Sequence, residues 1–298
     1  MSSQQLLEVE AATSARAGRS QRVRRSGPGG WIATIILIVG AAGMIAPFLW
    51  MFSTSMRPAK EAYDLPPTWL PFPLQSENYV NAVTGPVPLL QNMLNSAVIA
   101  ITVTLAQIVL CPMAGYAFAR LRFPARNVLL ITLLASLMVP VQVTIIPLFI
   151  LMRNLGLINN PLSLILPALT GAFGVFLMRQ FFLGLPEEIL EAARIDGAGP
   201  FTVYRLVALP LAKPGLSALG VITFLATWNA YFAPSIFLNS IGTATMPLAL
   251  VLMLGPYKTG DVAMIMAATT IAILPAFLVY LVAQRWIVES LTSSGVKG

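Results

Sequence analysis

Residues 187–197 read EEILEAARIDG and hold Glu187, Glu188, Glu191, Arg194 and Asp196, in a chain of which only 10% is charged. Catalysis is not what such a cluster offers here. The 298 residues contain no histidine and one cysteine, Cys111, so a disulfide within the chain, a Cys/His metal site and a Cys-His nucleophile pair all lack their parts. Nor can the chain cradle ATP. A phosphate-binding loop needs G-x-x-x-x-G-K-[ST], and the nearest run, GPYKTG at 255–260, has the wrong order. The charged stretch suits either an amphipathic surface helix with solvated charges or a helix face on which a partner docks. A second candidate set is polar and aromatic: Gln142, Thr144, Trp228, Asn229 and Tyr231, each embedded in apolar sequence. Amides that bond hydroxyls beside aromatic faces that cover sugar C–H surfaces would make a carbohydrate site along a substrate pathway. The same amides can instead bond neighbouring helices, or backbone freed by Pro140, Pro147 and Pro234.

The elements that must position these residues are membrane spans. The chain is 57% hydrophobic, and its mean hydropathy is +0.80. Soluble domains carry roughly 25% charged residues, and a bilayer core needs about 20 mostly apolar residues per helix. Blocks free of charge cover 26–56, 78–119, 127–152, 154–178, 214–257 and 262–284. The expected fold is an all-α membrane protein of six transmembrane helices, near 31–53, 92–114, 128–151, 161–182, 214–236 and 262–284. Span three runs outward from about 128 and span five from about 214, so a rise of 1.5 Å per residue puts Gln142 about 21 Å and Asn229 about 22 Å from the inner end. That is the same depth, in the outer half. No fixed charge lies deep in a span, and Arg179 is close enough to an inner end to snorkel, which points away from an ion or proton path and towards a neutral solute.

Orientation follows from the 18 basic residues. With the N-terminus in the cytoplasm, Arg16, Arg19, Arg22, Arg24, Arg25, Arg120, Arg122, Arg126, Arg179, Arg194, Arg205, Lys213, Arg285 and Lys297 fall inside. Only Arg57, Lys60, Arg153 and Lys258 fall outside. This positive-inside bias predicts both termini in the cytoplasm and accounts for the net charge of +7 without nucleic acid. Residues 1–30 are polar and basic and are expected as a disordered cytoplasmic tail rather than a cleaved signal; 291–298 form a short cytoplasmic C-terminal tail. The outer loop 54–91 (PPTWLPFPLQSENYV) is rich in prolines and aromatics and is expected to form an ordered cap. Met246–Gly255 is too short to span. It is either an interfacial or re-entrant piece, or an outward extension of the last span.

The charged stretch then lies in the longest inner loop, 183–213. Pro186 suits a first helical turn, Glu187 and Glu188 sit at the positive end of the helix dipole, and Leu190, Ala193 and Gly197 recur at helical spacing. GAGP (197–200) stops this helix, and Pro200 starts a second that ends near Leu209-Pro210. Glu191-Ala192-Ala193, three residues, Gly197, nine residues, then Val207-Ala208-Leu209-Pro210 resembles the EAA loop of ABC importer permeases. The one departure is Val207, where isoleucine is usual. AGYAFARLRFPAR (114–126), TWNAYFAPSIFL (227–238) and LTSSGVKG (291–298) are similar to MalG-type subunits of carbohydrate importers. The resemblance implies type I ABC importer permease architecture, with a domain over 31–290 in a plasma or inner membrane. It implies that Glu191, Ala192, Ala193, Asp196 and Gly197 form a coupling helix docked on a separate ATPase. It further implies a second permease subunit in a heterodimer, two ATP-binding subunits that carry ATP and Mg, and an extracytoplasmic solute-binding protein. This chain itself would be non-catalytic and bind no cofactor. A sugar or oligosaccharide is the implied solute, with glycerol phosphate as the alternative. A secondary transporter or channel component is the reading from another class, which the EAA spacing and the lack of intramembrane acids disfavour.

Overall fold

The computed structural model describes residues 28–63, 69, 72–255 and 260–294. Most of the tail 1–30, residues 295–298, much of GPYKTG and Arg16 to Arg25, with Lys258 and Lys297, lie outside the described residues. The described chain is helical throughout. The elements are α1 (Pro28–Ser55), α2 (Glu77–Thr84), α3 (Leu89–Arg120), α4 (Arg126–Ser136), α5 (Val141–Asn154), α6 (Leu162–Ala168), α7 (Ala172–Leu183), α8 (Glu187–Ile195), α9 (Pro200–Leu211), α10 (Lys213–Trp228), α11 (Phe232–Phe237), α12 (Met246–Met253) and α13 (Val262–Ser294). Two compact units are distinguished, one through Trp50, whose described part lies in α1, and one from Met51 onward.

Four described stretches are long and apolar enough to cross a membrane: 30–55, 89–120, 162–183 and 262–284. Two bent pairs, α4 with α5 and α9 with α10, raise the number to six if each pair is one span. The expected spans are therefore present as apolar helices, but two are not straight. Span three breaks at Leu137–Pro140, where α4 and α5 meet at 100°. Pro140 supplies no N–H and pushes the residue before it away from the α region, so the ladder stops there. At 11 and 14 residues, neither half is long enough to cross alone. Span five ends at Trp228 rather than 236 and meets α9 at 74°. In span four the helix is interrupted at Leu169–Gly171, where Gly171 is extended.

In the larger unit α3 is the central helix, packed on α7 and α10. The approach of α3 to α7 rests on small residues. A Cβ on Gly115 would lie 2.9 Å from the backbone N of Arg179, and one on Gly174 would lie 2.8 Å from Cys111 Sγ. Apolar spans gain little from burial in lipid, so close backbone approach of this kind supplies much of their packing energy. Towards the C-terminal end of α3, a buried cluster joins it to α7, α8, α9 and α10 through Tyr116, Met178, Phe182, Leu190, Val203, Ala208 and Leu219.

A second cluster, at the other end of α3, joins Ala82, Leu89, Met246, Ala249, Met253, Ile265 and Ala268. The segment Met246–Gly255, left open between two readings, is here mostly the helix α12, packed between α3 and α13. Its first N–H is taken by Ser96 Oγ at 2.7 Å. The loop before it is held by Asn92, whose amide donates to the carbonyls of Ile241 and Ala244, and by Asn159, whose Oδ1 accepts from Asn239 N, Ser240 N and Thr243 Oγ1. The described part of the 54–91 loop is ordered likewise: the Asn78 amide donates to the carbonyls of Ser55 and Arg57.

Candidate functional site

Local sequence explains the shape of the 183–213 loop. Pro186 precedes α8, Glu187 and Glu188 occupy its first turn, and Arg194 lies in its last. Each charge therefore sits at the pole of the helix dipole that favours it. The helix ends in a Schellman motif: Gly197 N donates to Arg194 O and Ala198 N to Ala193 O, both at 3.0 Å, with Gly197 at φ +85°. The stop expected at 197–200 is thus a left-handed C-cap at Gly197. Pro200 opens α9, whose middle, Val203–Ala208, widens into a π-helix before Pro210. A wider turn suits a proline whose ring would otherwise crowd the carbonyl four residues back. The helix consequently runs past Pro210 to Leu211.

Leu190 is fully buried in the cluster at the C-terminal end of α3, with Ala193 and Ala198 packed beside it, so α8 is fastened to the spans along one narrow edge. Glu191, Ala192, Asp196 and Gly197 are exposed. A Cβ on Gly197 would meet nothing within 4 Å in this chain. Ile195, one turn beyond Glu191, is 86% exposed, and its aliphatic side chain is uncovered. Sequence reading gave it no role. The signal was an apolar residue off the Leu190–Ala193 edge, with Glu191 four residues before it on the same face.

The C-terminal end of α3 supplies another residue that sequence reading used only as a basic count. Arg120 closes α3, and its guanidinium donates to Phe182 O, Leu183 O and Leu185 O, the backbone just before α8. In return Arg179 of α7 donates to Phe118 O, as does Arg126 at 3.0 Å.

The depth argument for the second candidate set assumed a straight span three, which the structure does not have. Gln142 and Thr144 lie in the first turn of α5, beyond the 100° bend, so a straight rise from 128 does not apply to them; both are exposed. Thr144 Oγ1 bonds Val141 O in its own turn. Asn229 closes α10, and its amide donates to Leu225 O of the same helix. Tyr231 is exposed at the break before α11. Trp228 is buried, stacked on Phe224 with centroids 5.7 Å apart, and its indole N–H donates to Ala272 O at 3.2 Å, near Pro275 of α13. The amide that serves a broken helix is Gln107, which the sequence did not single out. It donates to Ala168 O, freed at the break before α7, and accepts from Thr223 Oγ1.

This arrangement can be compared with known proteins. Residues 111–293 match the family model described as binding-protein-dependent transport system inner membrane component. The chain is 34% identical over 268 residues to UgpE, the sn-glycerol-3-phosphate transport system permease protein of Salmonella typhi, across 87% of this chain and 94% of that protein. It is equally similar to UgpE of Yersinia pestis, with 34% identity over 267 residues, 87% of this chain and 95% of that protein. The solved structure of a bacterial ABC transporter involved in the import of the acidic polysaccharide alginate shares its fold, with a TM-score of 0.76 at 22% identity over 91% of this chain and 98% of that one. With a family match over more than half its length and relatives similar nearly end to end, this chain belongs to the binding-protein-dependent transport system inner membrane components, the permease subunits of ABC importers.

Proposed function

We propose that the chain is one half of the translocation pathway of an ATP-driven importer for a small phosphorylated polyol of the glycerol-phosphate class. The observation that carries this is the similarity to UgpE along nearly the whole of both chains. It favours the alternative of the sequence reading over a sugar or oligosaccharide. In this proposal each bent pair is one span, which makes six, and the positive-inside bias puts both termini and 183–213 in the cytoplasm. A second permease subunit completes the pathway, an extracytoplasmic binding protein delivers solute, and two separate subunits bind ATP and Mg. The docking face of α8 consists of Glu191, Ala192, Asp196 and Ile195, with Ala193 turned towards the spans and Gly197 as the stop. An uncovered apolar side chain among charges is what a helix-in-groove contact uses. Gln142, Thr144, Asn229 and Tyr231 are the pathway candidates of this half, and Trp228 holds α10 on α13 behind them.

A neutral carbohydrate is the second reading, favoured by the charge-free spans, because a phosphate passing through would gain from a cation that this half does not place there. One experiment separates the two. The whole complex is reconstituted in proteoliposomes with its binding protein, and ATP hydrolysis is followed with sn-glycerol 3-phosphate or with maltose. Stimulation by the phosphorylated polyol is the expected result. Stimulation by the sugar alone transfers the assignment to the second reading, and stimulation by neither refutes both.

A further inference from the structure

We propose that Arg120 is a positioning residue that ties the coupling helix to the central span, so that movement of α8 is delivered to α3. The inference rests on the docking role of α8 proposed above. The last carbonyls of any helix lack intrahelical partners, and at the end of α7 the lack is enforced by sequence. The N–H that would bond Phe182 O in an α-helix belongs to residue 186, which is proline and has none. Phe182 O keeps only a 3.4 Å bond from Leu185 N, and Arg120 adds charged donors to it. Nε and Nη2 reach Phe182 O at 3.1 and 2.8 Å, and Nη2 also reaches Leu183 O at 3.5 Å and Leu185 O at 2.6 Å. Its side chain is only 10% exposed, so the bonds to Phe182 O and Leu185 O are partly shielded from competing water, while the long one to Leu183 O is exposed; the Glu187 carboxylate at 3.8 Å is 66% exposed and adds little.

The bonded carbonyls are the last two of α7 and that of Leu185 in the turn to α8, where the chain passes from span to coupling helix. A fork of donors on a third helix, α3, therefore fixes the direction in which α8 leaves the membrane. Arg179 reaches back from α7 to Phe118 O at 3.4 Å, and Gly115 lets the two backbones touch one turn before. A pull on α8 has a short, stiff route to α3.

The test uses the full complex in proteoliposomes, with Arg120→Gln and Arg120→Lys. The glutamine variant should assemble with wild-type basal ATPase. Amide hydrogen exchange at 184–196 should rise about tenfold. Solute moved per ATP should fall about fivefold or more, the lower range of a coupling energy between sites. Lysine should lie in between, because an ammonium can bond these carbonyls but not as a fork. Wild-type transport per ATP in the glutamine variant overturns the proposal, and so does unchanged exchange at 184–196. Should the glutamine variant fail to assemble, the lysine variant decides: reduced transport per ATP supports the tie, and wild-type transport per ATP overturns it. A cysteine at Ala192 that gives no cross-link to the ATPase in the otherwise wild-type complex refutes the docking role of α8 instead, and the exchange measurement still reads the tie.

Discussion

At Gly197 two demands can be separated. Its φ of +85° is a backbone demand, and the open space around its Cβ position means that nothing in this chain forbids a side chain there. Holding a β-branched residue in that conformation costs about 1–2 kcal/mol, whereas asparagine tolerates it and is the usual substitute at this cap. Gly197→Val is therefore expected to reduce binding-protein-stimulated ATPase roughly tenfold through the cap, and Gly197→Asn to remain within about threefold of wild type. Equal loss in both variants would show that the partner, and not the backbone, excludes the side chain. Glu191→Ala should be milder than Gly197→Val, because an exposed ion pair is worth about 0–1 kcal/mol. The same ATPase measurement on the whole complex reads all three variants.

The contact between α3 and α7 is the element on which the loop depends. A Cβ on Gly115 lies 2.9 Å from both the Arg179 backbone N and Met178 Cβ, and 3.1 Å from the Met178 carbonyl carbon. Backbone cannot swing aside as a flexible side chain can. Gly115→Val should therefore separate the two helices, at an expected cost of about 1–3 kcal/mol or more from overpacking. The measurement is the detergent melting temperature and yield of the complex, with Gly242→Ala as control, because a Cβ on Gly242 meets nothing within 4 Å. A wild-type melting temperature in Gly115→Val would remove close packing as the basis of this interface.

On the scale of the whole molecule, sidedness carries the proposed function. Ser76, just before α2, and Thr202, in α9, are both exposed, so reactivity towards an impermeant reagent depends on the side of the membrane alone. The sole cysteine, Cys111, is buried and is replaced by alanine for the test. With the positive-inside orientation, a cysteine at Ser76 reacts from outside in intact cells, and one at Thr202 reacts only after permeabilisation. The reverse pattern would put 183–213 outside and end the docking proposal.

The sequence by itself determined the helical membrane class, the apolar blocks, the family and the ends of α8, because each leaves a local mark: charge-free runs of span length, Pro186 and Pro200 at helix starts, and a glycine where φ is positive. Tertiary structure alone decided the rest. The bend after Ser136 was written in Pro140, but its angle of 100° depends on what the two halves pack against. The same applies at Ala212. Trp228, expected along a solute path, instead donates to Ala272 O, and the amide that serves a broken helix proved to be Gln107 rather than Gln142 or Asn229. Arg120 and Phe182 lie 62 positions apart, and a side chain bonded to the backbone of another helix imposes no periodicity on either sequence. Such bonds fix where helices bend and how α8 is held, and they become legible only once the helices are side by side.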